Sequence, residues 1–152
     1  MDYVVENFAT LATVLLTAAV GAYFLWRNNF KTRRANACAA FRSSVFTELG
    51  SIYPNPAPWP NNIDTFLRVR FVALQTAVEN FRPFVPWWSR YCFDRAWFRY
   101  RCATGRKIDT QCYLHYFDSY DPFTSTQAEA SANVKALFHA NVKRLLSYAE
   151  ET

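Results

Sequence analysis

Hydrophobic and polar positions divide the chain into one unbroken apolar run, three amphipathic stretches, and a middle where aromatic and basic residues interleave. The apolar run is Phe8 to Trp26, FATLATVLLTAAVGAYFLW, nineteen residues without a charge. As a helix it rises ~28 Å, close to the ~30 Å hydrocarbon core of a bilayer. Its polar residues are threonines, whose hydroxyls can bond back to helix carbonyls. Asp2 and Glu6 precede it, while Arg27, Lys31, Arg33 and Arg34 follow it. A cleaved leader has the opposite order, with bases first. The pattern predicts an uncleaved transmembrane helix over 8–26. The positive-inside rule assigns residues 1–7 to a short non-cytoplasmic tail, 27–34 to a basic juxtamembrane segment and 35–152 to the cytoplasm. Tyr23 and Trp26 fall where an interfacial aromatic belt is expected. Thr13, Thr17 and Gly21 recur every fourth residue, as do Ala18 and Ala22, which predicts a small face that a second helix can approach.

The amphipathic stretches predict helices. In Arg33–Leu49, Ala37, Cys38, Phe41, Val45 and Leu49 follow helical spacing, with Gly50 as the stop and a bend near Asn28 and Asn29. Residues 51–62, SIYPNPAPWPNN, form a stiff Pro-rich connector pinned by Tyr53 and Trp59. A polyproline-recognition motif is the alternative use of those prolines. Asn62 or Asp64 caps a helix from Ile63 to Asn80, with Ile63, Phe66, Leu67, Phe71, Leu74, Ala77, Val78 and Phe81 as its apolar stripe. Arg70 lies within that stripe, either snorkelling or in a buried ion pair. Pro86 opens a helix to about Ala103. Ile108–Phe117 alternates like a strand but has no second strand to pair with, so helix or irregular structure is expected. Tyr120, Asp121 and Pro122 mark a turn. Thr126 and Glu129 form a capping box for the last helix. Its stripe is Val134, Leu137, Phe138, Val142, Leu145, Leu146 and Ala149, with Asn141 as a polar member. The fold class is all-α: one transmembrane helix and a compact domain of about four helices.

Composition narrows the classes. Hydrophobic residues make up 51% and charged residues 19%, which excludes intrinsic disorder, and 3 glycines and 7 prolines exclude collagen-like chains. The net charge of +5 suits an anionic partner. Much of it resides in Phe81–Lys107, FRPFVPWWSRYCFDRAWFRYRCATGRK, where seven bases face one acid, Asp94. Three environments fit such a segment: an aromatic core filled by Arg stems, an interfacial helix, or nucleic acid. No nucleic-acid-binding motif accompanies it, so the first two lead and nucleic acid is not expected. The basic and aromatic residues assigned to lipid or a partner are Arg27, Lys31, Arg33, Arg34, Trp87, Trp88, Arg90, Arg95, Trp97, Arg99 and Arg101.

Cys38, Cys92, Cys102 and Cys112 are expected to be reduced in a cytoplasmic domain. Cys112 and His115 form a C-x-x-H pair, a weak metal candidate because structural zinc sites pair ligands twice at short spacing. With Asp118 they are also the local candidates for nucleophilic catalysis. His139 is expected at the solvated edge of the last helix. Phosphate-loop, dinucleotide, paired-acid and haem-attachment motifs are missing from the sequence. No enzyme activity, metal or other cofactor is therefore expected.

The segments FRPFVPWWSRYCFDRAWFRYRCATGR and IDTQCYLHY resemble those of a bacterial family of hypothetical proteins, in which a hydrophobic N-terminus precedes the same Pro- and Trp-rich middle. The resemblance implies a bacterial source and carries no activity, ligand or catalytic residue. Anchor, basic collar and aromatic segment together point to a non-catalytic accessory, assembly or stabilising subunit of a larger complex in the bacterial inner membrane. The alternatives are a Cys/His-dependent enzyme or metal site around Cys112 and His115, and a free-standing protein that binds anionic lipid.

Overall fold

Helical periodicity is realised as four α-helices, and no strand occurs among the described residues: α1 (Asp2–Leu49), α2 (Ile63–Phe81), α3 (Trp87–Arg101) and α4 (Gln127–Leu146), with single 3₁₀ turns at Arg82–Phe84, Leu114–Tyr116 and Ser147–Ala149. The computed structural model describes the backbone of residues 2–55, 59–102, 113–117 and 127–150, and their side chains apart from 2–12, 114, 127 and 128. The expected turn at Tyr120–Pro122, the Thr126 half of the capping box, Cys112 and most of the Ile108–Phe117 run lie outside the described residues. The chain separates into two units, Met1–Asn36 and Ala37–Thr152.

The first unit is helical from Asp2 onward. It continues through Asn28 and Asn29, where a bend was expected. Neither residue removes a ladder hydrogen bond as proline would, and the Thr32 hydroxyl donates to the Asn28 carbonyl at 3.0 Å. The Thr17 hydroxyl likewise donates to the Thr13 carbonyl at 2.8 Å. Every side chain from Thr13 to Phe30 is exposed. Tyr23, Trp26 and Phe30 line one side of the helix, with Trp26 and Phe30 stacked at 6.2 Å. Among the described residues no helix is long and apolar enough to cross a membrane.

The second unit is built on rings. Phe41 of α1 stacks on Phe81 of α2 at 4.7 Å, and both meet Phe93 of α3 edge-on at 6.1 and 5.7 Å. Tyr148, in the turn after α4, closes on Phe93 at 5.4 Å. Three helices and the C-terminal turn thus share one point of contact. Val45, Leu49, Leu67 and Leu74 extend the core on one side, and Phe138, Val142 and Leu145 of α4 on the other.

Helix ends follow local chemistry. Gly50 succeeds Leu49 because a Cβ there would lie 2.5 Å from the Phe46 carbonyl oxygen. The Asn62 side chain accepts from the Thr65 N–H at 3.1 Å and caps α2. Asp64, the other candidate cap, instead pairs with Arg68 one turn on, at 2.6 Å. Arg70 takes neither expected role. Its Nε donates to the Glu48 carbonyl at 2.8 Å and an Nη to the Phe66 carbonyl at 3.0 Å, while its guanidinium sits 3.6 Å over the Phe66 ring. The last carbonyls of α1 have no partner within their own helix, and a cation there also opposes the helix dipole. Leu137, assigned to the core stripe of α4, is 44% exposed instead, on the helix flank away from Phe138. Asn141 donates to the Tyr116 hydroxyl at 2.9 Å, which accounts for a polar residue in that stripe.

Replacing Phe93 by Ala removes the ring shared by Phe41, Phe81 and Tyr148. The expected cost is about 3–5 kcal/mol. Trp87→Ala is expected to change stability by less than about 0.5 kcal/mol. Denaturant titration of both variants checks the contrast, and equal losses would contradict it.

Candidate functional site

α3 carries the segment in which rings and bases interleave, and packing sorts them. Phe93, Ala96, Trp97 and Tyr100 point into the core, where α3 packs on α4. Trp87, Trp88, Tyr91, Cys92, Arg95 and Arg99 occupy the opposite, exposed side, with Phe98 half-buried at its edge. Trp87, Trp88 and Tyr91 are 77%, 68% and 71% exposed. The two indoles meet edge to face at 5.8 Å.

Trp97 departs from its assignment to a lipid- or partner-facing surface. It is 5% exposed, stacks on Phe71 and Tyr100, and donates its indole N–H to the Gln75 side-chain oxygen at 2.9 Å. A helix with rings on every side must bury some of them, and Trp97 finds a hydrogen-bond acceptor, Gln75, on α2.

The arginines are sorted too. Arg82 forms a two-pronged bridge to Asp94, at 2.9 and 2.7 Å. Arg90 folds back onto the Val85 and Pro83 carbonyls, both at 3.1 Å. Arg101 lies over the faces of Trp97 and Phe98 at 5.8 and 5.7 Å. Arg95 and Arg99, one turn apart, are exposed and make no hydrogen bond or ion pair with the described residues. The start of α3 adds to this charge. Pro86 provides no side-chain cap and the first turn holds no acid, so the positive end of the helix dipole lies beside Trp87 and Trp88.

On α1, Thr13, Thr17, Ala18, Gly21 and Ala22 are exposed, and a Cβ added at Gly21 would meet nothing within 4 Å. Arg27, Lys31 and Arg33 are exposed and Arg34 is half-buried. Tyr91 and Cys92 also belong to the exposed face of α3, beyond the residues expected there. The spacing of Trp87, Trp88, Tyr91 and Arg95 holds the signal, since each lies on one arc of the helical wheel. Val69 and Val72 on α2 are a second pair that sequence reasoning passed over, at 74% and 71% exposed.

Of the chemical candidates, only His115 and His139 fall among the described residues. His115 is half-buried and lies 3.8 Å from the Tyr116 ring, and its proposed companion Cys112 is outside the described residues. Among the described residues no group of three or more His, Cys, Asp or Glu could hold a metal ion. His139 is half-buried rather than fully solvated: it packs on Tyr53 at 5.1 Å, and its buried Nε2 has no hydrogen-bond partner among the described residues. A cleft of about 360 Å³ beside Trp59, Ile63, Tyr116 and Val134 has no carboxylate, imidazole or thiol in its described lining. Burial pushes the hydroxyls of Tyr100, Tyr113 and Tyr116 well above the ordinary tyrosine range. These are core groups held neutral rather than bases poised to react.

No family model matches the chain, and neither a curated protein nor a solved structure matches it significantly.

Two outcomes are expected. Cys92 reacts with a water-soluble maleimide in the folded protein, while buried Cys38 and Cys102 react only on unfolding, as site-resolved mass spectrometry can show. Tyr100, Tyr113 and Tyr116 keep their protons in the fold at a pH where the unfolded chain loses them. Stability from these groups is therefore fully present below about pH 10 and falls as pH rises further. An ultraviolet titration in which all nine tyrosines ionise together near their ordinary pKa would contradict this.

Proposed function

We propose that the protein is a non-catalytic accessory subunit of a larger assembly in the bacterial inner membrane. Phe8–Trp26 anchors it, residues 1–7 lie on the outer side, and residues 35–152 form a cytoplasmic helical domain that docks through the outer face of α3. The observation that carries this reading is the run of exposed, uncharged apolar residues on α1. Leu15, Leu16, Phe24 and Leu25 are each 60% exposed or more. An exposed apolar run of this kind, followed by a basic cluster, is costly in water and favoured in a bilayer. The small face at Thr13, Thr17 and Gly21 would admit a helix of the partner. The acid-poor outer face of α3 supports a docking role better than a catalytic one.

Native-gel analysis of the full-length protein, extracted in mild detergent and identified by mass spectrometry, tests the proposal. The expected result is a defined large assembly with stoichiometric integral-membrane partners. Gly21→Leu places its side chain in open space within this chain, so the fold should tolerate it. Losing a close helix contact worth about 1–2 kcal/mol weakens the association constant roughly five- to thirty-fold, read as dissociation on dilution. Migration alone or as a small homo-oligomer overturns the accessory role.

A further inference from the structure

We propose that the outer face of α3 binds anionic phospholipid headgroups. Trp87, Trp88 and Tyr91 would sit at the boundary between headgroups and acyl chains, and Arg95 and Arg99 would bind lipid phosphates. The inference rests on the docking role given to this face above and names its partner.

The chemistry of the face selects that partner. Indole and phenol rings combine an apolar body with a polar edge, which is the chemistry that settles at a bilayer interface. The exposed side of α3 contributes no Leu, Ile, Val or Met between Trp87 and Arg99. Its two guanidiniums, exposed and without an ion pair among the described residues, attract anions, and the uncapped, acid-free start of the helix favours negative charge at the same end as the indoles. The nearest carboxylate along the helix, Asp94, is held in two hydrogen bonds by Arg82 and does not oppose an approaching phosphate.

Size favours lipid over protein. From Trp87 to Arg99 the helix rises ~18 Å, and a strip ~10 Å wide covers far less than the ~800 Å² per partner of a standard protein interface. A lipid surface needs no such area, because each ring and each base contributes separately. The helix lies flat in this arrangement, with its core-facing side still covered by α4.

Cys92 provides the reporter, since it is exposed on the same face and is a free thiol. Full-length protein is reconstituted into nanodiscs of phosphatidylcholine, with or without phosphatidylglycerol. Maleimide labelling of Cys92 is then followed by site-resolved mass spectrometry. Labelling is expected to slow at least about ten-fold in the anionic discs, and high salt should restore the rate. Arg95→Gln with Arg99→Gln is expected to weaken the protected state about 25-fold, at about five-fold per base. Lys143→Gln with Arg144→Gln removes the same charge elsewhere and should leave protection intact. Equal rates in the two lipids overturn the proposal, as does equal loss from the two double variants. Protection by dissolved glycerol phosphate in zwitterionic discs would indicate a soluble-phosphate site and also overturn it. Retention of the chain in zwitterionic discs reports on the anchor separately: a chain that leaves them overturns the anchored-subunit reading, while the anionic discs still test the face.

Discussion

The contact of Phe41, Phe81 and Phe93 is the point on which the helical domain depends. One ring comes from each of α1, α2 and α3, and Tyr148 adds the C-terminal turn. Residues 82–86 join α2 to α3 directly, whereas α1 and the C-terminal turn reach them through the rings. Aromatic pairs at these separations add about 0.5–1.5 kcal/mol each beyond the area they bury. They also fix rotation about the helix axis. Once Phe93 is seated, Ala96, Trp97 and Tyr100 must turn inward with it, and Trp87, Trp88, Tyr91, Arg95 and Arg99 must turn outward.

That rotation divides a segment of uniform composition into two kinds of surface. Inside, the rings continue from Trp97 and Tyr100 to Tyr113, Tyr116 and Phe138. At the margin, Arg82, Arg90 and Arg101 are taken up by Asp94, by backbone carbonyls and by aromatic faces. On the outside, two arginines make no hydrogen bond or ion pair with the described residues, and Trp87, Trp88 and Tyr91 remain exposed. A domain stabilised by its own aromatic core does not need that surface for folding. This is why the docking function is proposed there.

Much of the fold was legible in the sequence because it is periodic. The boundaries of α2, the Asn62 cap, the Gly50 stop and most of the α4 stripe follow from spacing and end chemistry. Three features were not legible, each for a physical reason. Trp97 and Trp87 are alike in sequence, and the Gln75 acceptor that separates them lies on another helix. Arg70 has a main-chain partner, the Glu48 carbonyl, which leaves no mark in the side-chain pattern. His139 is covered by Tyr53 from the connector, whose course periodicity cannot predict. Likewise, the outer face of α3 was visible as a set of rings and bases but not as a selection among them, since the selection is made by tertiary packing.

The central claim is that packing commits Trp97 to the fold and frees Trp87, Trp88 and Tyr91 for docking. Hydroxyl-radical footprinting of the full-length protein, in its native membrane and after detergent extraction, tests this most directly. The account predicts that Trp97 is protected in both states, while Trp87, Trp88 and Tyr91 are oxidised in detergent and protected in the membrane. Equal oxidation of Trp87 and Trp88 in the two states, or oxidation of Trp97 to the same extent as Trp87, would contradict it.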